Sequence, residues 1–317
     1  MKRAAKIDRS NYQKLVIVGV LLLIMAVLTI LSRDFLTITN VTNVFRQVST
    51  TVIAGSAVTL LMISGNFDLS IGSIMAISGT MHALMVVWGV PIPLALALCV
   101  LIGVVVGLVN GALVVLLDVP SFIATLGTMY AVRGAAWVIT GGNSISRGLS
   151  KSYTVLGRGY IGPVPISILI TLVIFAVFYF IQRKTLLGKY AYAIGGNRRT
   201  ALLSGISVKK VGVTLYVLVG ALSAFAGAML SSRLGTGNAS VGSGFEFDVV
   251  VAVILGGTSL DGGEGSVFGM LIGALIVGFI ANGLNLLGVH SFYQDIVKGV
   301  VLVGAVFLDR FLKKRIN

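Results

Sequence analysis

The chain has 317 residues, of which 56% are hydrophobic and 11% charged, with a formal net charge of +14. A soluble domain carries about 25% charged residues, so these proportions exclude a soluble globular protein and point to lipid as the solvent for most of the chain. The positive balance does not indicate nucleic acid, because the cations gather at the ends of apolar runs and in one loop, and the single cysteine, Cys99, excludes an intrachain disulfide.

The basic start "MKRAAKIDR" precedes an apolar run at Leu15–Ser32. That run exceeds a usual signal-peptide core and has no A-x-A site after it, so it reads as an uncleaved first span. Further runs follow at Val44–Ser64, Leu69–Trp88, Pro91–Leu117, Phe122–Thr140, Ile166–Ile181, Val211–Ser231, Phe247–Leu260, Val267–Leu287 and Phe292–Leu308. The expectation is an all-α polytopic membrane protein of about ten transmembrane helices. Phe247–Leu260 is short for a hydrocarbon core of about 30 Å and reads as a half-helix or a longer helix extending past that boundary.

An N-terminus in the cytoplasm puts most of the 24 Lys and Arg inside: in the tail 1–14, in the loop 183–210 and in the tail 310–317. Ten spans between 15 and 309 return the C-terminus to the same side, so both basic tails agree. The loop 141–165, rich in Gly, Ser and Tyr, falls outside, and its three cations run against the trend. Arg183–Lys210 reads as an ordered cytoplasmic element, with a solvated basic linker as the alternative.

A weak internal repeat is visible. "FDLSIGS" at Phe67–Ser73 echoes "FDVVVAV" at Phe247–Val253, "GVVVGLVNG" at Gly103–Gly111 compares with Gly269–Gly273 and Asn282–Gly283, and "VPSF" at Val119–Phe122 with "VHSF" at Val289–Phe292. The odd offset of five spans would make two inverted five-helix repeats, a common transporter plan with the pathway between the halves; chance similarity in a Gly-, Val- and Leu-rich chain is the competing explanation.

Catalytic signatures are missing. No G-x-x-x-x-G-K-[ST], G-x-S-x-G, H-E-x-x-H or C-x-x-C occurs, and the two histidines, His82 and His290, stand far apart, so neither an enzyme nor a metal site is expected. "GGTSLDGGEGS" at Gly256–Ser266 reads as a tight turn between spans.

Charges within the bilayer cost about 2.5–3.5 kcal/mol on insertion scales and usually face a cavity or a partner. The candidates are Asp68, Asp118, Arg133, Glu246, Asp248, Asp295 and Lys298. Asp295 and Lys298 share a helix face and can neutralise one another, and Asp118 falls at a helix end. In "GNFDLS" Asn66 or Asp68 can cap the following helix, either as a plain cap or beside a cavity that a polar solute passes. Asn110, Asn282 and Asn285 serve either as packing glue between helices or as hydrogen-bond partners for hydroxyls.

Several stretches together carry a family resemblance: "SGNFDLSIGSIMAISG" (Ser64–Gly79), "VPSFIATLGTM" (Val119–Met129), "GKYAYAIGGN" (Gly188–Asn197), "SGI" (Ser204–Ile206), "VAVILGGTSLDGGEGSVFGMLIGALIVGF" (Val251–Phe279) and "NGLNLLGVHSFYQDIVKG" (Asn282–Gly299). The chain resembles the ribose-type permease subunits of bacterial ABC monosaccharide importers, a group that includes autoinducer-2 and xylose systems. The resemblance implies a bacterial inner-membrane subunit that pairs with a second permease copy, identical or not, and forms the pathway for a monosaccharide, ribose first. It implies an ATPase partner that binds ATP and Mg²⁺, which this chain does not, and a binding protein that delivers sugar from outside. Gly195, Gly196, Asn197, Ala201, Ser204 and Gly205 are then expected at the ATPase contact. Asn66, Asp68, Ser70, Asn110, Phe122, Asn282 and Asn285 are the candidates for the substrate pathway. Arg198-Arg199-Thr200 is more basic than the family's usual pattern there, which bears on the choice of ATPase. An ABC permease for autoinducer-2 or another small solute, an ion-coupled carrier using Asp68 or Asp248, and a membrane scaffold are the competing functions.

Overall fold

The computed structural model describes residues 9–290 and, beyond them, 293, 294, 296, 297, 299, 300, 303 and 304. Asp295, Lys298 and most of the expected span Phe292–Leu308 lie outside the described residues.

Helix α1 covers Arg9–Leu31, α2 Ile38–Ile63, α3 Ile71–Val87 and α4 Ile92–Gly111, which continues through a π-helical turn at Ala112–Leu116. Helix α5 covers Ser121–Thr140, and a 3₁₀ turn at Lys151–Thr154 leads into the short α6, Val155–Arg158. A small hairpin pairs β1 (Tyr160–Ile161) with β2 (Val164–Pro165) before α7, Ile166–Lys184. Then come α8 (Leu186–Gly196), α9 (Arg198–Leu203), α10 (Val208–Leu234), α11 (Phe245–Leu255) and α12 (Val267–Leu286). Six of these are long and apolar enough to cross a membrane: α2, α4 with its π turn, α5, α7, α10 and α12, while Val16–Leu31 and α3 are shorter apolar helices. The chain is therefore an all-α polytopic membrane protein.

Local chemistry sets the helix ends. Pro91, Pro120 and Pro165 stand immediately before α4, α5 and α7, where a missing N–H and a fixed φ suit a helix start. Gly141 and Gly235 close α5 and α10 in the left-handed region, the usual role of glycine there.

From 52 to 63 helix α2 is buried on every side: Leu60, Leu61, Met62 and Ile63 are consecutive and all inside. Hydroxyls in it bond back to their own helix, Ser56 to the Val52 carbonyl and Thr59 to the Gly55 carbonyl, so they add no unpaired group to the apolar interior. Helix α10 packs on α3 and α4 through glycine. A Cβ at Gly79 would lie 2.8 Å from the Gly227 carbonyl oxygen, and one at Gly103 would overlap the Gly220 carbonyl. Small residues allow this backbone-to-backbone approach, which is how helices gain contact where lipid removes the hydrophobic drive. By contrast, α4, α5 and α7 turn Leu101, Val105, Val138 and Val173 outward.

Two stretches run into the bundle without being helical. After α2 the chain passes from Gly65 to Ser70 as irregular backbone before α3 begins. Met75 of α3 packs against Gly227, nineteen residues into α10 at 1.5 Å each, so α3 starts about 23 Å along an α10 of about 40 Å, near its middle. After α10 the chain doubles back along α3. Gly237 lies against Thr80 and Ala83, and Gly242 against Gly72 and Met75. Helix α11 then has 11 residues, about 16 Å of helix, and its first turn meets that of α3: a Cβ at Gly72 would strike the Gly242 carbonyl and Glu246 Oε2. Irregular backbone at such depth is tolerated only where protein or a cavity surrounds it.

A candidate translocation and coupling site

The extended stretch before α3 is fastened by its own carboxylate. Asp68 is 1% exposed. Its Oδ1 accepts from the Ser70 N–H at 2.7 Å and from the Ser70 hydroxyl at 2.6 Å, and its Oδ2 from Asn110 Nδ2 at 3.2 Å. Asn110 Nδ2 also donates to Ser70 Oγ at 2.8 Å, and Asn110 Oδ1 accepts from the Thr128 hydroxyl at 2.5 Å. Thr125 takes the Leu69 N–H at 3.1 Å, and the Tyr216 hydroxyl donates to the Phe67 carbonyl at 2.8 Å. Side chains from α4, α5 and α10 thus hold a backbone that has no ladder of its own.

This corrects the expectation of a cap. Helix α3 has Ser70 at its N-cap position and no side-chain cap bond. Asp68 takes the N–H of Ser70 itself, not one from the first turn. Asn66 Nδ2 turns back instead, to Ser64 Oγ at 3.2 Å.

The second set of candidates surrounds α8 and α9. Thr185 caps α8, and Asn197 both ends α8 and caps α9, accepting the Thr200 N–H at 2.9 Å. Gly205 follows α9 with φ +79. Tyr192 on α8 donates to the Gly265 carbonyl at 2.6 Å and accepts from Gln182 Nε2 at 2.8 Å, while Gln182 Oε1 takes the Val267 N–H at 3.0 Å. Burial raises the Tyr192 phenol pKa, keeping it a donor. Gly195 lies on the end of α2: a Cβ there would overlap the Ile63 carbonyl and come within 2.5 Å of the Gly263 nitrogen. The Gly263 N–H itself donates to that Ile63 carbonyl at 2.8 Å. The glycine-rich stretch Gly256–Ser266 is therefore the seat of α8 as well as a turn.

Two of the residues expected at a partner contact do not face outward. Ala201 is 3% exposed and anchors α9, and Gly195 is half-buried against Ile63. Gly196, Asn197, Ser204 and Gly205 are exposed, together with Arg198, Arg199, Lys209 and Lys210. Leu203, at 83% exposure, stands out among them. Arg198 reaches Asp118 at 3.5 Å, and Asp118 itself has φ 53, a left-handed conformation uncommon outside glycine.

Between the two sets lies a cavity of about 400 Å³. Asn66 and Gly65 line it from the stretch before α3, Asp118 and Ser121 from the α4–α5 link, and Gly195, Asn197 and Arg198 from the α8–α9 link. The remaining pathway candidates are elsewhere. Asn282 exchanges two hydrogen bonds with Asn40 of α2, at 2.8 and 2.9 Å, and thus joins helices. Asn285 accepts from Gln294 at 2.7 Å, and Phe122 is 59% exposed on the flank.

Sequence reasoning left Gln182, Tyr192, Thr125 and Thr128 out of the site, because none carries a charge or a motif. It named Arg133 without a role. Arg133 donates to the carbonyls of Ala239, Val241 and Gly242 at 2.8, 2.7 and 3.1 Å, pinning the second re-entrant stretch beside the buried Glu246. Among the described residues no group of His, Cys, Asp and Glu could hold a metal.

Residues 40–306 match the family described as branched-chain amino acid transport system, permease component. The ribose import permease of Haemophilus influenzae is 40% identical over 92% of this chain and 91% of its own. That of Bacillus subtilis is 44% identical over 92% and 90%, and the D-allose transport system permease of Escherichia coli 36% over 93% and 91%. No solved structure matches the chain.

Proposed function

The chain belongs to the ribose-type permease family that these relatives represent, and from that premise we propose that it is the membrane subunit of an ATP-driven importer passing ribose inward. The observation that carries the mechanism is the shared cavity: the Asp68-fastened stretch and the α8–α9 link both line it. Helices α8 and α9, with Leu203 and the cations around it, are the docking element for an ATPase that binds ATP and Mg²⁺. The chain itself performs no hydrolysis and has no phosphate-binding loop. Movement of α8 is carried to α2 through Gly195 on Ile63, and to α12 through Tyr192, Gln182 and Gly265.

On this reading both tails and the loop 183–210 are cytoplasmic and the loop 141–165 is outside. A binding protein docks on that outer side, and a second permease copy completes the pathway in the bacterial inner membrane. The convergence of two short helices, α3 and α11, each entered through re-entrant backbone, supports two inverted repeats within about ten spans. Asp68 is fully engaged by Ser70 and Asn110, which speaks against its use as an exchangeable ion site. The D-allose relative favours a second reading in which the sugar is a hexose.

The test is uptake of labelled ribose and D-allose by the complete importer, with copurification of the ATPase through a tag on this chain. ATP-dependent ribose uptake with the ATPase retained is expected. Uptake that persists in energised, ATP-depleted cells without an ATPase would overturn the reading.

A further inference from the structure

The geometry points to the 400 Å³ cavity as a discharge-side binding site for a free monosaccharide, an inference that rests on the sugar-importer reading above. Small-molecule sites run from about 300 to 1,000 Å³, so this one suits a single sugar ring and not a nucleotide. Its polar groups come from separate segments of the chain. Asn66 spends its Nδ2 on Ser64, leaving Oδ1 as an acceptor. Asn197 spends its Oδ1 on Thr200, leaving Nδ2 as a donor. Arg198 and Asp118 add a guanidinium and a carboxylate, Asp261 a second carboxylate, and Gly65, Gly195 and Gly196 keep the walls thin.

A sugar hydroxyl both donates and accepts, so it can bond to carboxylate, amide oxygen, amide N–H and guanidinium in one site. None of the lining residues is aromatic, so no face stacks on the ring, and affinity stays low enough for release, as conduction requires. The occupant touches the stretch before α3 and the α8–α9 link together. Sugar that has crossed but not left therefore bears directly on the element that moves with ATP.

The full-length chain in lipid nanodiscs, titrated with D-ribose under saturation-transfer NMR, tests the site. Saturable transfer with Kd on the order of 1 mM is expected. Asn66→Leu should weaken ribose at least tenfold. Ser121→Phe, which fills the cavity from α5, should do the same, so a folding failure in one variant leaves the other to decide. No saturable signal from the wild type, or equal binding by folded variants of both kinds, would overturn the site. Ribose uptake by the complete importer is measured in parallel. Uptake without saturable binding sinks the cavity alone, whereas binding without uptake sinks the importer reading.

Discussion

Removing the Asp68 carboxylate tests whether the stretch before α3 is a structural fastening or a contact for the solute. Asp68→Ala takes the acceptor from three donors: the Ser70 N–H, the Ser70 hydroxyl and one Asn110 N–H. Each buried donor left unsatisfied costs about 1–3 kcal/mol. Asn110 keeps Ser70 Oγ as an acceptor at 2.8 Å, so the Ser70 N–H and the Ser70 hydroxyl are the donors left unpaired. The sum is then about 2–4 kcal/mol, less than three independent losses because the groups share one network. At roughly 2–4 °C per kcal/mol for a chain of about this size, the melting temperature should fall by about 4–16 °C. Asp68→Asn keeps an oxygen toward Ser70 and loses only the bond to Asn110, so it should fall by less than half as much. The assay is thermal unfolding of the detergent-purified chain, followed by size-exclusion fluorescence, with ribose uptake beside it. Asp68→Ala unfolding within 1 °C of wild type while uptake is abolished would refute the reasoning and make Asp68 a solute contact.

Other substitutions separate coupling from packing. Gly195→Val should leave the chain inserted yet uncouple sugar uptake from ATP hydrolysis, since the side chain must displace the Ile63 carbonyl or the Gly263 nitrogen; normal stoichiometry in vesicles would contradict this. Tyr192→Phe loses the hydrogen bond to the Gly265 carbonyl, and should lower uptake several-fold with ATP turnover largely kept. Equal losses in both would place Tyr192 in folding alone. Asn282→Leu breaks the paired amides with Asn40, a change of about 1 kcal/mol in a bilayer, and should reduce melting temperature slightly with uptake intact. Collapsed uptake in a stable variant would return Asn282 to the pathway.

Hydropathy made most spans legible, because lipid imposes its thickness on every crossing helix whatever its neighbours. The apolar run at Pro91–Leu117 becomes α4 and its π turn, ending at Leu116. The shortness of Phe247–Leu260 foreshadowed α11, which ends at Leu255. Asp68 was visible as an expensive residue, but its partner could not be read from it: the acceptor role depends on Asn110, 42 positions away. The same limit hid the Asn40–Asn282 pair, since a lone amide in an apolar run looks alike whether it joins helices or meets a hydroxyl. Gln182 and Tyr192 gave no signal at all. Their hydrogen bonds go to Gly265, which the fold brings to them.

The glycine contacts along α10 have a practical consequence for measuring motion. Carbonyls of Gly103, Gly220 and Gly227 occupy the space where methyl groups would stand, so α3, α4 and α10 interlock backbone to backbone and would have to give up these contacts to shift. They form a fixed ruler inside the protein. Spin labels placed within that trio should keep one distance throughout an ATP cycle, while a label at Leu203 should change its distance to all three.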